Sequence, residues 1–369
     1  MEDHDKTLSD LRDQIDHLDR QLVDVINRRA QCVVEVGKLK RETGIPIYAP
    51  HREVAVLQKV KSLNDGPIPD ATLEAIYREL MSGSFALEQP IRIGYLGPVG
   101  TYSHLAAVRH FGSSVAFENL RAIEGVFEEV ARGHVDYGLV PIENSTGGGI
   151  TETLDAFLNY WKRLNIYGEV QLAVHFSLLA SCKPEQIKRI YSKHEAFAQC
   201  RSWLITQYPQ AELVPAESTA VAVRRAKEEF EQDPSFGVAA IGSSLAGEIH
   251  GLHTLFEQIE DRQTNVTRFL ILSRNQTERS GDDKTSIMFT TEDRPGALVD
   301  VLNVFKKNGI NLTHIDKRPG GEENWDYTFF IDALGHCKDA RFAEVLGEAR
   351  AHCKRLTVLG SFPRCQRTL

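Results

Sequence analysis

The chain has 369 residues, 42% apolar and 25% charged, with a formal net charge of -8. Such a length predicts two or three domains with real cores, and the acidic balance argues against nucleic acid as a partner, since displacing counterions needs a basic footprint. Six cysteines (Cys32, Cys182, Cys200, Cys337, Cys353, Cys365) form no C-x-x-C pair, which points to a reduced, cytoplasmic setting; the start MEDHDKTLSD is too polar for a signal peptide, and no apolar run approaches the roughly 20 residues that cross a bilayer.

From residue 7 to about 41 the pattern is one long helix. Leu8, Leu11, Ile15, Leu18, Leu22 and Val25 step by threes and fours, and the register continues through Arg29, Cys32, Val36 and Leu39, a coiled-coil-like stripe. Thr7 or Ser9 is placed to cap it, and Gly44 with Pro46 ends it. Helical patterns follow at 51–63 and 70–87, separated by Gly66-Pro67 and Pro69. Residues 1–90 therefore read as an all-helical unit. Arg29 lies on the apolar seam, where a charge is costly unless paired or facing a ligand. Lys40 faces nearly the same way three turns on, whereas Arg12 is 28 residues from Lys40, roughly 42 Å along a straight helix. Arg12 can join their site only from an antiparallel second chain, so the helix points to a homodimer or higher homo-oligomer. From periodicity alone, a coiled-coil seam with buffered cations is as good a reading as a ligand site.

After Pro90 the grammar changes to alternating strands and helices as far as 273, an α/β unit. The sequence GYLGPVG from Gly94 has the wrong spacing for a dinucleotide fingerprint, and Pro98 removes a backbone donor. The sequence PIENSTGGG from Pro141 places small hydroxyl residues and glycines before a helix, which leaves backbone N–H groups for an anion; taken alone, an ordinary N-cap and tight turn explains it better. His250 and His253 have loose metal-ligand spacing but no third ligand, so no metal is expected. The stretch 274–284 reads as a polar linker. Beyond it the order is strand (285–291), helix (296–308), strand (311–318), strand (325–333), helix (339–351) and strand (354–360), the βαββαβ order of an α+β ferredoxin-like sandwich.

Three sets of motifs carry resemblances. Leu11-Arg12-Asp13-Gln14-Ile15-Asp16, Arg28-Arg29, the run VEVGKLK ending at Lys40, Pro50-His51-Arg52-Glu53 and the run MSGSFALE ending at Glu88 resemble the all-helical chorismate mutases. The resemblance implies that Arg12 of a partner chain and Arg29 hold two carboxylates, with Ser84 nearby. Lys40 and Glu88 would bond the breaking ether oxygen, and Arg52 and Glu53 would orient the hydroxyl end. Two departures stand out: Ala49, where many relatives carry an acid, and Glu88, where some carry glutamine. The Claisen rearrangement needs no cofactor, only a folded substrate and stabilised negative charge.

Gly97-Pro98-Val99-Gly100-Thr101-Tyr102-Ser103, Val140 to Thr146, Tyr191-Ser192-Lys193-His194 and Thr267-Arg268-Phe269 resemble prephenate dehydratase across 91–273. That implies two α/β lobes, like those of periplasmic binding proteins, with the site between them. Thr267 would be the catalytic hydroxyl, and Asn144, Ser145, Thr146 and Arg268 would bind substrate. The stretch Glu217-Ser218-Thr219-Ala220 is expected to line the cleft. Asp293-Arg294-Pro295-Gly296-Ala297-Leu298-Val299 and Ile315-Asp316-Lys317-Arg318-Pro319 resemble a phenylalanine-sensing ACT domain at 285–362, with Lys317 replacing the family's usual serine. Gly296, Ala297, Leu298, Val299 and Asp316 would hold the effector L-phenylalanine. The combined expectation is a cofactor-free, cytoplasmic enzyme that takes chorismate through prephenate to phenylpyruvate. Rival readings are a mutase fused to a dehydrogenase, which needs a glycine fingerprint not found here, and a mutase fused to a non-catalytic amino-acid sensor.

Overall fold

The computed structural model describes residues 2–319 and 327–369, with side chains from residue 7 on; the first two residues of the strand expected at 325–333 lie outside them. Helix α1 (Glu2–Thr43) is a single rod of 42 residues, about 63 Å long. It already runs through Thr7 and Ser9, so neither caps its start: no proline or glycine in the preceding segment interrupts the helical backbone. Gly44 follows with φ +69, the left-handed conformation that ends helices cheaply only at glycine. Helices α2 (Pro50–Ser62) and α3 (Asp70–Glu88) complete the unit, with α3 packed on both α1 and α2. The stripe of α1 stays in the open: Leu11, Ile15, Leu18, Leu22 and Val25 are each half exposed or more.

The next strands and helices build the first lobe. They are β1 (Arg92–Leu96), α4 (Tyr102–Phe111), β2 (Ala116–Leu120), α5 (Ile123–Arg132), β3 (Tyr137–Asn144), the short β4 (Gly148–Gly149), α6 (Thr151–Tyr160) and β5 (Asn165–Ala173). Helix α5 shows why the layer closes. Its Ile123, Val126, Phe127 and Val130 recur at helical spacing, and all four are buried against the sheet, as one apolar face requires. The chain then leaves for a second lobe of β6 (Ser177–Ala180), β7 (Ile187–Ser192), α7 (His194–Gln199), α8 (Arg201–Gln207), β8 (Glu212–Pro215), α9 (Thr219–Gln232), β9 (Gly237–Gly242), α10 (Ser244–His250) and β10 (His253–Phe256). It returns to the first lobe through β11 (Val266–Ser273). The sheet orders are β2-β1-β3-β11-β5, with β4 on β3, and β10-β6-β9-β7-β8. Strand β11 thus fills the gap between β3 and β5 after an excursion of about ninety residues.

The last unit is β12 (Asp283–Thr290), α11 (Ala297–Lys307), β13 (Leu312–Pro319), β14 (Tyr327–Leu334), α12 (Ala340–Arg350) and β15 (Arg355–Pro363), with sheet order β13-β14-β12-β15. This is the expected βαββαβ sandwich. Both faces of its sheet are covered. Ile287, Phe289 and Ile331 pack on Val301, Phe305 and Phe342 of its own helices. The alternate residues Met288, Phe330, Leu359 and Phe362 share a core with Leu154, Phe157, Ile166 and Leu270 of the first lobe.

The segment expected as a linker is a correction. Thr277 is buried and bonds His51 at 3.1 Å, and Lys284 is buried with its Nζ 2.9 Å from Glu169. A polar stretch reads as a linker locally, yet here its polar groups bond partners from two other units, half-buried His51 and buried Glu169.

Candidate active sites and effector pocket

Two pairs gather where α1 meets α3. Arg29 donates to Ser84 Oγ at 3.0 Å, and Ser84 donates to Leu80 O at 2.7 Å. Three turns along α1, Lys40 Nζ donates to Glu88 Oε2 at 2.7 Å and to Ile47 O at 2.9 Å. An ammonium has three hydrogens, so one of Lys40's is left for a ligand. Gly37 makes room for this approach: a Cβ there would lie 2.9 Å from Glu88 Cα. Arg12 is exposed on α1 far from these pairs.

Arg52 and Glu53 do not join them. Arg52 is exposed on α2. Glu53 turns the other way, into a cavity of about 160 Å³ shared with the first lobe and the C-terminal tail. Burial there pushes its carboxyl up to about 7, against the opposing pulls of Arg78 and the Tyr48 hydroxyl. His110 lies 4.0 Å away, and burial, with help from Arg78, holds its imidazole down at about 3.

The second cluster lies at the ends of two neighbouring strands. Register pairs Thr267 of β11 with Asn144 of β3. Asn144 Nδ2 donates to Thr267 Oγ1 at 2.8 Å. Asn144 Oδ1 accepts from Thr146 N at 3.0 Å, Gly147 N at 2.9 Å and Thr146 Oγ1 at 2.6 Å. Ser145 Oγ donates to Thr264 O and accepts from Val266 N, both at 2.9 Å. The glycine-rich segment therefore turns its amides onto a side chain, which makes it a scaffold for Asn144. Two members of the cluster were not among the expected residues. Asn265 sits two positions before Thr267, on the same face by strand alternation, and accepts from Asn144 at 2.8 Å. Gln199, at the end of α7 in the second lobe, accepts from Asn265 at 2.7 Å. The period-two spacing could have exposed Asn265; no local signal marks Gln199.

Arg268 is the clear correction. One step along β11 from Thr267, it points to the opposite face and is 8% exposed. It donates to Glu169 at 2.7 Å and forms an ion pair with Asp332 of β14 at 2.6 Å, while Lys284 holds the other side of Glu169. Its guanidinium ties the first lobe to the C-terminal sandwich and does not face the Thr267 cluster. The stretch from Glu217 lies at the border between the lobes. Ser218 caps α9, and Ala220 and Ala246 press on Gly100, whose φ is +88. That glycine admits the second lobe's helices where a side chain would collide, so the GYLGPVG turn is a lobe contact. Among the described residues, no three His, Cys, Asp or Glu side chains converge as a metal site.

Gly296 precedes α11 with φ +82. With Ala297, Leu298 and Val299 it lines a cavity of about 220 Å³ walled by Tyr327 and Phe329. Asp316 lies apart from it. Its carboxylate sits against Gly149, leaving no space for a side chain there. On the same face of β13, His314 reaches Glu143 at 3.3 Å, and Arg318 holds Asp155 of α6 at 2.6 and 2.7 Å.

Two separate sites of different chemistry, one ionic and one built of neutral amides and hydroxyls, define a multidomain enzyme with an attached ligand-binding module. Residues 11–89 match the chorismate mutase type II family, 93–277 the prephenate dehydratase family and 285–348 the ACT domain family. Similar proteins include bifunctional chorismate mutase/prephenate dehydratases from Stutzerimonas stutzeri (43% identical over 97% of this chain and 98% of the relative) and Pseudomonas aeruginosa (42%, over 99% of each). A solved prephenate dehydratase in complex with L-Phe from Arthrobacter aurescens is 36% identical, with a TM-score of 0.66, covering 74% of this chain and 90% of that one. The chain belongs to the bifunctional chorismate mutase/prephenate dehydratases.

Proposed function

We infer that the chain rearranges chorismate to prephenate in residues 1–90 and converts prephenate to phenylpyruvate in 91–273, under feedback from phenylalanine bound to 285–362. It thereby catalyses two successive steps of phenylalanine biosynthesis. The observation that carries the second step is the hydrogen bond from Asn144 to Thr267. An oxygen that accepts from an amide keeps its own hydrogen for another partner, and the described residues offer Thr267 no acceptor. That hydrogen is free to meet the departing hydroxyl of prephenate while CO₂ leaves and the ring becomes aromatic. Asn144, Ser145 and Thr146 shape the same end of the cleft for substrate.

In the mutase unit, Arg29 with Ser84 and Lys40 with Glu88 hold one face of chorismate. Arg12 of a partner completes the charge, since its own helix carries it far from them. The exposed stripe on α1 supports a homodimer: burying five such side chains is worth on the order of 10 kcal/mol. Arg52 and Glu53 would reach the substrate's hydroxyl end only with a different setting of α2 in the assembled dimer. Phenylalanine would enter the aromatic-walled hollow at Gly296 to Val299, its carboxylate toward the start of α11; Asp316 would act at the border with Gly149. The setting is the cytoplasm; no helix among the described residues is long and apolar enough to cross a membrane.

The test is direct. Purified protein given chorismate without any cofactor forms phenylpyruvate, and added phenylalanine slows that output. A chain that accumulates prephenate and stops would leave only the mutase reading.

A further inference from the structure

The cavity into which Glu53 turns lies between α2, α3, β5 and the segment that follows β15. Most of the charged side chains that line it are already matched. Glu74 of α3 is held by Lys61 and Arg367 together. Glu169 of β5 is held by Arg268 and Lys284, and Arg364 pairs with Asp282.

Arg78 of α3 is different. It lines the same cavity and is half-buried, and its Nε is shut off from water without a hydrogen-bond partner. No carboxylate among the described residues forms an ion pair with it. Its charge acts on Glu53 through space, yet burial outweighs that pull and keeps the Glu53 carboxyl protonated up to about 7. The other groups near Glu53 do not change charge around neutrality. Burial holds the His110 imidazole low, and it holds the Tyr48 hydroxyl and the Cys365 thiol high. Below pH 7 the cavity therefore carries a cation with no counterion, a costly arrangement for a protein to keep unless something fills it.

The rest of the wall is apolar, built from Val54, Leu57, Val170, Ile271 and Pro363. The hollow measures about 160 Å³, and an apolar space of roughly 150 Å³ holds one benzene-sized ring. A single unmatched cation beside a ring-sized apolar space selects one carboxylate on an apolar body. A second carboxylate would be buried without a partner, and an ammonium group would meet Arg78 as a like charge.

We propose that this cavity is a binding site for a small aromatic monocarboxylic acid, its carboxylate on Arg78 and its ring between Val54, Leu57 and Ile271. The site is distinct from the Thr267 cleft and from the hollow at Gly296, and it does not rest on the activities inferred above. Phenylpyruvate belongs to the class; chorismate and prephenate, with two carboxylates each, do not. The protonated Glu53 carboxyl supplies a second donor to the bound carboxylate. Once ionised, it pairs with Arg78 instead and repels the acid, so binding weakens as pH rises through 7.

The test is calorimetric titration of 3-phenylpropanoate into the full chain at pH 6 and pH 8. One saturable site is expected at pH 6, about tenfold weaker at pH 8, because the competent fraction falls from about nine-tenths to about one-tenth. Arg78→Met should weaken binding at pH 6 by about tenfold or more, the scale of a lost charged hydrogen bond. Leu57→Trp, which fills the hollow, should abolish it. Glu53→Gln should bind equally at both pH values, and Asn144→Ala in the cleft should bind like wild type. Equal wild-type affinity at both pH values would overturn the proposal. So would a pH dependence that persists in Glu53→Gln, binding that survives both Arg78→Met and Leu57→Trp, loss of binding in Asn144→Ala, or no saturable binding at millimolar concentration.

Discussion

The two candidate active sites differ in how much of each one chain supplies. In the cleft, Asn144 ties Thr267 and Thr146 together within a single copy, with nothing charged among them. On the proposed shared-site reading, the helical site is half built. Arg29 and Lys40 are seated on Ser84 and Glu88, yet Arg12 is in solvent and the apolar stripe beside it is bare. The difference follows from the chemistry. A Claisen rearrangement of a dianion wants several fixed cations around a small volume, and one straight helix cannot bend its two ends to the same point. A leaving hydroxyl wants one oriented donor, and two adjacent strands deliver that directly.

The sharpest way to break the comparison is Thr267→Ala. Phenylpyruvate formation should fall by roughly a hundredfold or more, the scale of a lost proton donor, while prephenate formation from chorismate continues unchanged. Parallel assays of both products decide it; a joint loss in folded protein would mean that the sites are not separate.

Shared helical sites make a second prediction. Arg12→Ala and Arg29→Ala chains should each lose nearly all mutase turnover. Refolded as a mixture they should recover about a quarter of wild-type turnover, since half the dimers at random are mixed and each holds one intact site. Absence of recovery, with mixed dimers demonstrated by mass, would leave the site within one chain.

Glu53 sits on a mutase helix but faces the dehydratase unit, so its titration reports on the border between the two. Folded, it keeps its proton up to about 7; unfolded, it releases it near 4.5. The folded state therefore binds more protons within that window, and stability present below 4.5 is lost as pH rises through 7. The loss is roughly 3 kcal/mol at most. Glu53→Gln should match wild type near pH 4.5 and become the more stable of the two by pH 8, measured by denaturant melts at each pH. His110 contributes the opposite slope below 6.5 in both proteins, so the difference between them isolates Glu53. A constant difference across pH would place Glu53 in solvent.

The smallest expected effect lies at the border with the effector module. Arg318→Ala removes a half-exposed bidentate pair to Asp155, worth about 1 kcal/mol or less. Basal dehydratase kcat should hold, while the phenylalanine concentration for half inhibition rises severalfold. An unchanged inhibition curve would move the coupling away from β13.

What could be read in the residues alone was whatever repeats at short range. The seam of α1, the misplaced cation Arg29 on it, the strand-helix alternation and the βαββαβ order all follow from periods of 3.6 and 2. The motif residues Asn144, Thr146 and Thr267 were legible only through the resemblance to prephenate dehydratase, since alone the first two read as a capped turn and the third as a strand entry. What had no local mark was which distant segments meet. Arg268 was expected beside Thr267, yet one step along a strand reverses a side chain's face and sends it to Asp332 of another unit. Gln199 looks like any polar helix end until the second lobe lays it on Asn265, 66 residues away. The polar stretch near 280 looks like a tether until Glu169 claims Lys284. Met288 and Phe330 fill a core begun by residues more than a hundred positions earlier. Local backbone preference is written in neighbouring residues; burial and pairing across the chain are decided only when cores close, because each depends on surfaces that no single segment contains.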